Sequence, residues 1–249
     1  LYSKNVENLM MAGRNISASH LAMSDTRVML TTAVMGHAAG TAAAMCVETK
    51  VTPRGIYQDF MPRLQQQLLK EGAHVMGMAA DDPRDLAPRA TASASSVGKY
   101  KDRPMPANNV IDGYARVVGD DPKAWYPDPK SPAPHWVELA WERPVTFNVV
   151  HVTFQTPESV PREFAVEVWK NGRYEPVFDL TGNRHRRHVL GLDRVTTSKL
   201  RVLLQEPKAV CEIRVYDEPA AAVEAARRAH RTMRLPDVGP FLPWEKQPK

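Results

Sequence analysis

The sequence predicts an α+β chain in two parts: a strand–helix segment of α/β type, then an antiparallel β-sandwich. Three observations carry that prediction. Residues 1–77 are rich in Met and Ala and nearly free of Pro. At Asp81 the composition turns abruptly to a charged, proline-containing stretch, DDPRDLAPRA, of the kind that links domains. Beyond it, short segments alternate apolar and polar residues with period two, separated by turn dipeptides such as Asn171-Gly172 and Gly182-Asn183. The expected divisions are 1–80, a linker over 81–90, a sandwich over 91–217 and a helical, then extended tail over 218–249.

Taken in order, VENLMMAG (Val6–Gly13) suits a short buried strand that enters a tight turn at Gly13-Arg14. After the polar loop NISASH, a helix is expected from near Asp25–Arg27 to about Glu48. Gly36, Ala39, Gly40, Ala43 and Ala44 recur at helical spacing, leaving one face nearly bare of side chains. Such a face admits a neighbouring strand or a cofactor; from the residues alone, Gly36 and Gly40 read first as packing positions. The start of that helix offers free N–H groups and partial positive charge to an electron-rich group. A second helix is expected near Tyr57–Glu71. The strands are HWVELAW (His135–Trp141), NVVHVTF (Asn148–Phe154), EFAVEVW (Glu163–Trp169), YEPVFDL (Tyr174–Leu180), SKLRVLL (Ser198–Leu204) and CEIRVYD (Cys211–Asp217). AAAVEAARRAHRTMR (Ala220–Arg234) reads as helix, and the residues from Pro236 as extended surface chain.

Composition narrows the function classes. Hydrophobic content of 43% and charged content of 24% are ordinary for a soluble globular protein. No apolar run reads as long and clean enough to cross a bilayer. LYSKNVEN has no charged-then-apolar signal pattern. Location is left open, with export to the periplasm or exterior expected if a parent protein carries a signal peptide. The net charge is +5 and the pI about 9.2, yet Lys and Arg are scattered. The clusters RHRRH (Arg184–His188) and AARRAHRTMR (Ala225–Arg234) read as solvated faces, so no nucleic-acid partner is expected. Cys46 and Cys211 read as buried free thiols. No CxxC, HExxH or zinc-finger spacing occurs.

The first segment carries a family resemblance. VENLMMAGRNISASHLAMSDTRVMLTTAVMGHAAGTAAAM resembles the C-terminal end of the FAD-binding domain in the FAD-dependent oxidoreductase family, bacterial flavoproteins of the two-dinucleotide-binding-domain type. The shared pattern is a strand, AGR-x-I-S-x-[ST]-H, a short loop, R-V-M, then a Gly/Ala-rich helix. Gly13, Arg14, Ser17, Ser19, His20, Arg27, Val28, Met29, Gly36 and Gly40 keep it. The resemblance implies that Arg27, Val28 and Met29 lie at the pyrimidine end of the flavin, their amides facing negative charge on the reduced ring. It places Gly13 and Arg14 near the ribityl–pyrophosphate portion, with Ser19 in the same cofactor-binding set. His20 reads either as an acid or base facing substrate or as a residue that only positions the loop.

The activity so implied is hydride transfer from a carbon substrate, a carbohydrate-derived alcohol among the candidates, to FAD. Such a flavoprotein needs a GxGxxG turn on the pyrophosphate, and none occurs in this sequence. The chain therefore reads as the C-terminal portion of an oxidoreductase. Its expected partner is the missing N-terminal FAD-binding portion, in the same protein or in a companion chain. Alone it is expected to bind FAD poorly and to be inactive.

Residues from about Ala90 to Asp217 resemble the discoidin, or coagulation factor 5/8 type C, group of galactose-binding-like jelly-roll sandwiches. The carrying features are ATASAS, NNVIDG (Asn108–Gly113), Trp125, HWVELAW with PVTFNVVHVTF, PREFAVEVWKNGRYEPV, SKLRVLL and CEIRVYDE. Many such modules bind glycans through loops at one end, which implies Trp125, Tyr126, His135 and Arg162 as ligand-binding residues. The proline-stiffened loop AWYPDPKSPAPHW (Ala124–Trp136) is the expected ligand surface. Trp136 and Trp141 alternate along a strand, and Trp136 or Trp141 reads as core rather than as a stacking platform. Asp112 and Glu212 match positions that often hold a structural Ca²⁺ in the group. The residues equally suit Asp112 capping the turn before Gly113 and Glu212 pairing with a nearby Arg. The alternative to the oxidoreductase reading is thus a non-catalytic carbohydrate-binding module.

Overall fold

The computed structural model describes residues 1–233 and divides the chain into two units, Leu1–Asp82 and Pro83–Lys249. Arg234, the expected end of the last helix, and the extended tail expected from Pro236 lie outside the described residues.

The first unit is helical: α1 (His20–Thr26), α2 (Met29–Thr49), α3 (Pro53–Asp59) and α4 (Met61–Lys70). Each boundary has a local cause. The Ser19 hydroxyl accepts from the Ala22 amide at 3.3 Å and starts α1. Lys50 takes a left-handed conformation (φ 58°) that stops α2. Thr52 caps α3, whose first position is Pro53. The core gathers Ala42 and Met45 of α2 with Ile56, Leu64 and Leu68 of α3 and α4. Glu71 then ties α2 to the end of α4, accepting from Thr41 at 3.1 Å and Gln67 at 2.8 Å and pairing with His37 at 2.6 Å.

Two expectations change here. Helix α2 begins at Met29, because the chain breaks helix at Arg27–Val28 after the short α1. Val6–Gly13 forms no strand; a single bridge, Tyr2 to Met10, closes a turn, and Val6 and Leu9 stay exposed. A strand needs a ladder partner, and the described residues of this unit supply none beyond that bridge.

The second unit is an antiparallel β-sandwich with eight strands among the described residues. They are β1 (Thr91–Ala94), β2 (Lys99–Tyr100), β3 (Arg103–Pro104), β4 (His135–Phe154), β5 (Phe164–Lys170), β6 (Arg173–Leu180), β7 (Arg187–Leu204) and β8 (Val210–Tyr216). β4 and β7 are long enough to serve both layers. The first half of β4 pairs with β1 and with the end of β7, which continues to β5 and β6. Past a register shift between Ala140 and Val145, the second half pairs with β8 and with the start of β7. Exposed Glu142, Arg143 and Pro144 occupy the shift; the proline has no amide to give a ladder. Val137, Leu139, Val150, Val152, Leu190, Leu200, Val202 and Ile213 fill the interior, as period-two alternation requires. The six expected strands are all present, two of them fused into β4. The front half of β7 runs through Arg187-His188, which the sequence presented as a charged surface stretch.

The expected linker 81–90 is only partly one. Asp85 is buried and its Oδ1 accepts from the amides of Ala87 and Val215, at 3.0 and 2.9 Å. Leu86 donates to the Val215 carbonyl and accepts from Trp141 Nε1. Residues 85–90 are thus stitched to the sandwich, because an acid between two prolines can tie down loop amides. Helix α5 (Ala220–Met233) packs back onto β7 at Gly191, where a Cβ would fall 2.5 Å from the Val223 carbonyl. Arg227 fixes that approach through the Gly191 carbonyl and a 2.6 Å ion pair with Asp193.

Candidate functional site

In the first unit, the residues implied at the flavin fall in two places: Gly13, Arg14 and Ser19 in and after the turn that precedes α1, and Arg27, Val28 and Met29 at the entry to α2. Gly13 has φ 107°, which favours glycine, and its carbonyl accepts from the Ile16 amide. Arg14 and His20 are exposed; His20 opens α1, with Ser19 spent on capping that helix. Val28 stands at the N-cap of α2 and gives it no side-chain hydrogen bond, and the first turn holds no acidic residue. A 21-residue helix thus presents an uncapped positive end. Around it, Leu21, Met29, Leu30 and Val34 are exposed, Met29 to 86%. A Cβ at Gly36 or Gly40 would meet nothing within 4 Å. Arg27, Val28 and Met29 are brought together, whereas Gly13 and Arg14 sit in a separate turn before α1. By length and composition alone α2 is long and apolar enough to cross a membrane, contrary to the expectation that no apolar run here would be. Its midpoint carries the His37–Glu71 hydrogen bond, a poor fit to hydrocarbon.

In the sandwich, two of the four implied ligand residues are core. Trp125 is fully buried, donates Nε1 to the Ser96 carbonyl at 2.8 Å and pairs its backbone with Val210 in both directions. His135 is also buried, at the first position of β4. At the ends of the proline-rich loop, Trp125 thus joins the core, whereas Trp136 is only half-buried. Tyr126 is half-buried against Tyr100, with ring centroids 6.1 Å apart, and burial pushes its hydroxyl up to about 12. Arg162 alone of the four is exposed. It lines a depression of about 500 Å³ with Pro157, Val160, Gly182, Asn183 and Arg184.

The floor of that depression was not legible as a site. Asn183 is buried and binds the Pro161 carbonyl through Nδ2, the Arg162 carbonyl through its amide, and His188 Nε2 through Oδ1 at 3.0 Å. It locks the β4–β5 and β6–β7 loops into one surface. His188 lies among Phe154, Phe164, His185 and His230, and burial lowers its pKa from 6.5 to about 4. Below pH 6.5 the unfolded chain takes up a proton that the folded one refuses. Stability is therefore full above 6.5 and falls as pH drops, until both states titrate near 4. Burial pushes the Asp85 carboxyl up to about 6, which acts in the opposite sense over the same window, so the His188 contribution is read as a difference. In melts followed by Trp fluorescence at several pH values, the wild type should lose on the order of 3 kcal/mol more than His188→Gln across that window.

The carboxylates implied for Ca²⁺ have other partners. Asp112 Oδ1 accepts from the Tyr114 amide at 3.0 Å, and Oδ2 lies 3.4 Å from Lys123 Nζ. Glu212 pairs with Arg214 at 2.5 Å, both nearly fully buried. Burial pushes both carboxyls above their usual values. Among the described residues no group of three or more His, Cys, Asp or Glu could hold a metal ion. The donor set does not fit a hard cation, which wants several unpaired oxygens. Cys46 and Cys211 are free thiols, and burial pushes Cys211 up to about 12, too high for a nucleophile at neutral pH.

Residues 1–68 match the family model described as FAD dependent oxidoreductase. No curated protein matches the chain. Among solved structures, the chain is similar to the family 32 CBM from C. perfringens NanJ in complex with galactose, at 15% identity over 54% of this chain and 98% of that one, with a TM-score of 0.45. It is similar to chitosan-binding module 1 from a Paenibacillus chitosanase/glucanase, at 18% identity over 53% and 98%, with a TM-score of 0.44. It also matches SpGH29 at 19% identity over 54% of this chain, with a TM-score of 0.43, and there spans 28% of that chain's length.

Proposed function

We propose that the first unit is the closing part of the flavin site of an FAD-dependent oxidoreductase, completed by an N-terminal FAD-binding portion in the same protein or a companion chain. The family match over residues 1–68 carries this reading. The uncapped start of α2 and the exposed Met29, Leu30 and Val34 beside it support it. When bound, FAD would supply a hydride acceptor to a carbon substrate. This chain's own part is to bind and orient: the first-turn amides of α2 favour negative charge on the ring, and the apolar residues around them exclude water. His20, exposed at the start of α1, is the candidate to hold or move a proton at substrate.

The test mixes the purified chain with the family's N-terminal FAD-binding portion and follows flavin absorbance through size exclusion. The chain alone should elute colourless, and the mixture should elute as a yellow complex that Met29→Glu prevents. A mixture that stays apart and colourless overturns the proposal.

A second reading rests on the depression beside Arg162, whose buried Asn183 floor is preorganised as saccharide sites require. On that reading the sandwich is a non-catalytic carbohydrate-binding module. Retention on immobilised glycans, lost in Arg162→Ala with the melting midpoint unchanged, tests it; absence of retention on any glycan refutes it.

A further inference from the structure

We infer that the Lys123 ammonium is the resident cation of the loop carrying Asp112 and Asp121, in the place where the sandwich's resemblance implies a structural Ca²⁺. Three contacts converge on Nζ. It lies 3.4 Å from Asp112 Oδ2, 3.8 Å from Asp121 Oδ2 and 4.9 Å from the centroid of the Tyr114 ring. The side chains of Lys123 and Asp112 are each about one quarter exposed, 26% and 24%, so solvent screens this charge less than a surface pair. Lys123 reaches them from a left-handed backbone, φ 48°, a conformation a non-glycine residue adopts at a cost.

The loop is otherwise built for this arrangement. Asp121 Oδ1 accepts from the Lys123 amide at 3.1 Å, and Asp112 Oδ1 from the Tyr114 amide, so each acid turns its other oxygen to the ammonium. Glu212, the second carboxylate implied for the metal, is neutralised separately by Arg214. A divalent ion brought to Asp112 Oδ2 would lie against Nζ and be repelled. One internal amine thus does what a metal does elsewhere: it draws two carboxylates together and fixes the segment between them. The cost is that the loop cannot respond to Ca²⁺.

The test is thermal melting of the whole chain in EDTA and in Ca²⁺, read by Trp fluorescence. All five Trp residues lie at or beyond position 125, so the signal reports the second unit. The wild type should melt at the same temperature in both. Lys123→Ala should melt several degrees lower in EDTA and recover part of the loss in Ca²⁺. Lys123→Arg should melt close to the wild type. Ala and Arg carry the same left-handed backbone cost as Lys, so the comparison isolates the cation. A wild-type midpoint raised by Ca²⁺, or bound Ca²⁺ in equilibrium dialysis of the wild type, overturns the inference. So does a Lys123→Ala midpoint equal to the wild type in EDTA. A loss in Lys123→Ala that Ca²⁺ does not reverse overturns the claim that the lysine stands in a metal's place.

Discussion

Arg214→Ala should cost about 3–5 kcal/mol of stability, the range for removing one partner of a buried ion pair. Glu212 and Arg214 sit two apart on β8, on the same side of the strand, with side chains only 5% and 4% exposed. The other side of β8 carries Ile213 and Val215 into the sandwich interior. The strand is therefore buried on both faces, and its polar side survives only because the two charges neutralise each other. Removing the guanidinium leaves a buried carboxylate without its hydrogen-bonded partner and with only the weaker attraction of Arg187. Chemical denaturation read by Trp fluorescence checks this. The double change Arg214→Met with Glu212→Leu should recover most of the loss, since the pair's own net contribution is small.

Trp125→Ala should cost a similar amount, about 3–5 kcal/mol, from lost transfer energy and the cavity left behind. Trp125 is fully buried in the main core cluster, and its indole N–H has a partner in the Ser96 carbonyl. Trp125→Phe should cost less, because the cavity is smaller, although the Ser96 carbonyl loses its donor. A stacking platform behaves otherwise: its loss removes ligand affinity and leaves the melting midpoint in place. Midpoints measured beside glycan retention separate the two roles.

Much of the fold was legible in the residues. Alternation with period two located all six expected strands, because burial of one sheet face imposes it directly. It missed that His135–Phe154 is one strand, since Glu142-Arg143-Pro144 reads as a turn when only the local sequence is weighed. It also missed the front of β7, where Arg187 and His188 hide a strand whose histidine points inward. The site was less legible. Aromatic residues in a proline-rich loop look like ligand contacts, yet Trp125 and His135 turn inward and only Arg162 stays outside. The carboxylates Asp112 and Glu212 were recognised by position. A nearby Arg was expected for Glu212, and Arg214 is that residue; Lys123, the partner of Asp112, was not foreseen, because nothing in a sequence marks which lysine folds back onto a loop carboxylate.

In the first unit the small-residue face of α2 was readable from Gly36, Ala39, Gly40, Ala43 and Ala44; all but the buried Ala39 stand open in the structure. The expected strand before it did not form, since a strand is a property of its neighbours as much as of its own residues. Both facts have one physical meaning on the proposed reading: the partners of these residues lie on another polypeptide portion.

Amide hydrogen exchange across residues 29–31 tests that central claim most directly. The account predicts fast exchange at the first turn of α2 in the chain alone, where no side chain caps it. It predicts slow exchange there once the N-terminal FAD-binding portion and FAD are added, with α5 and β7 unchanged. Equal exchange with and without them would contradict it.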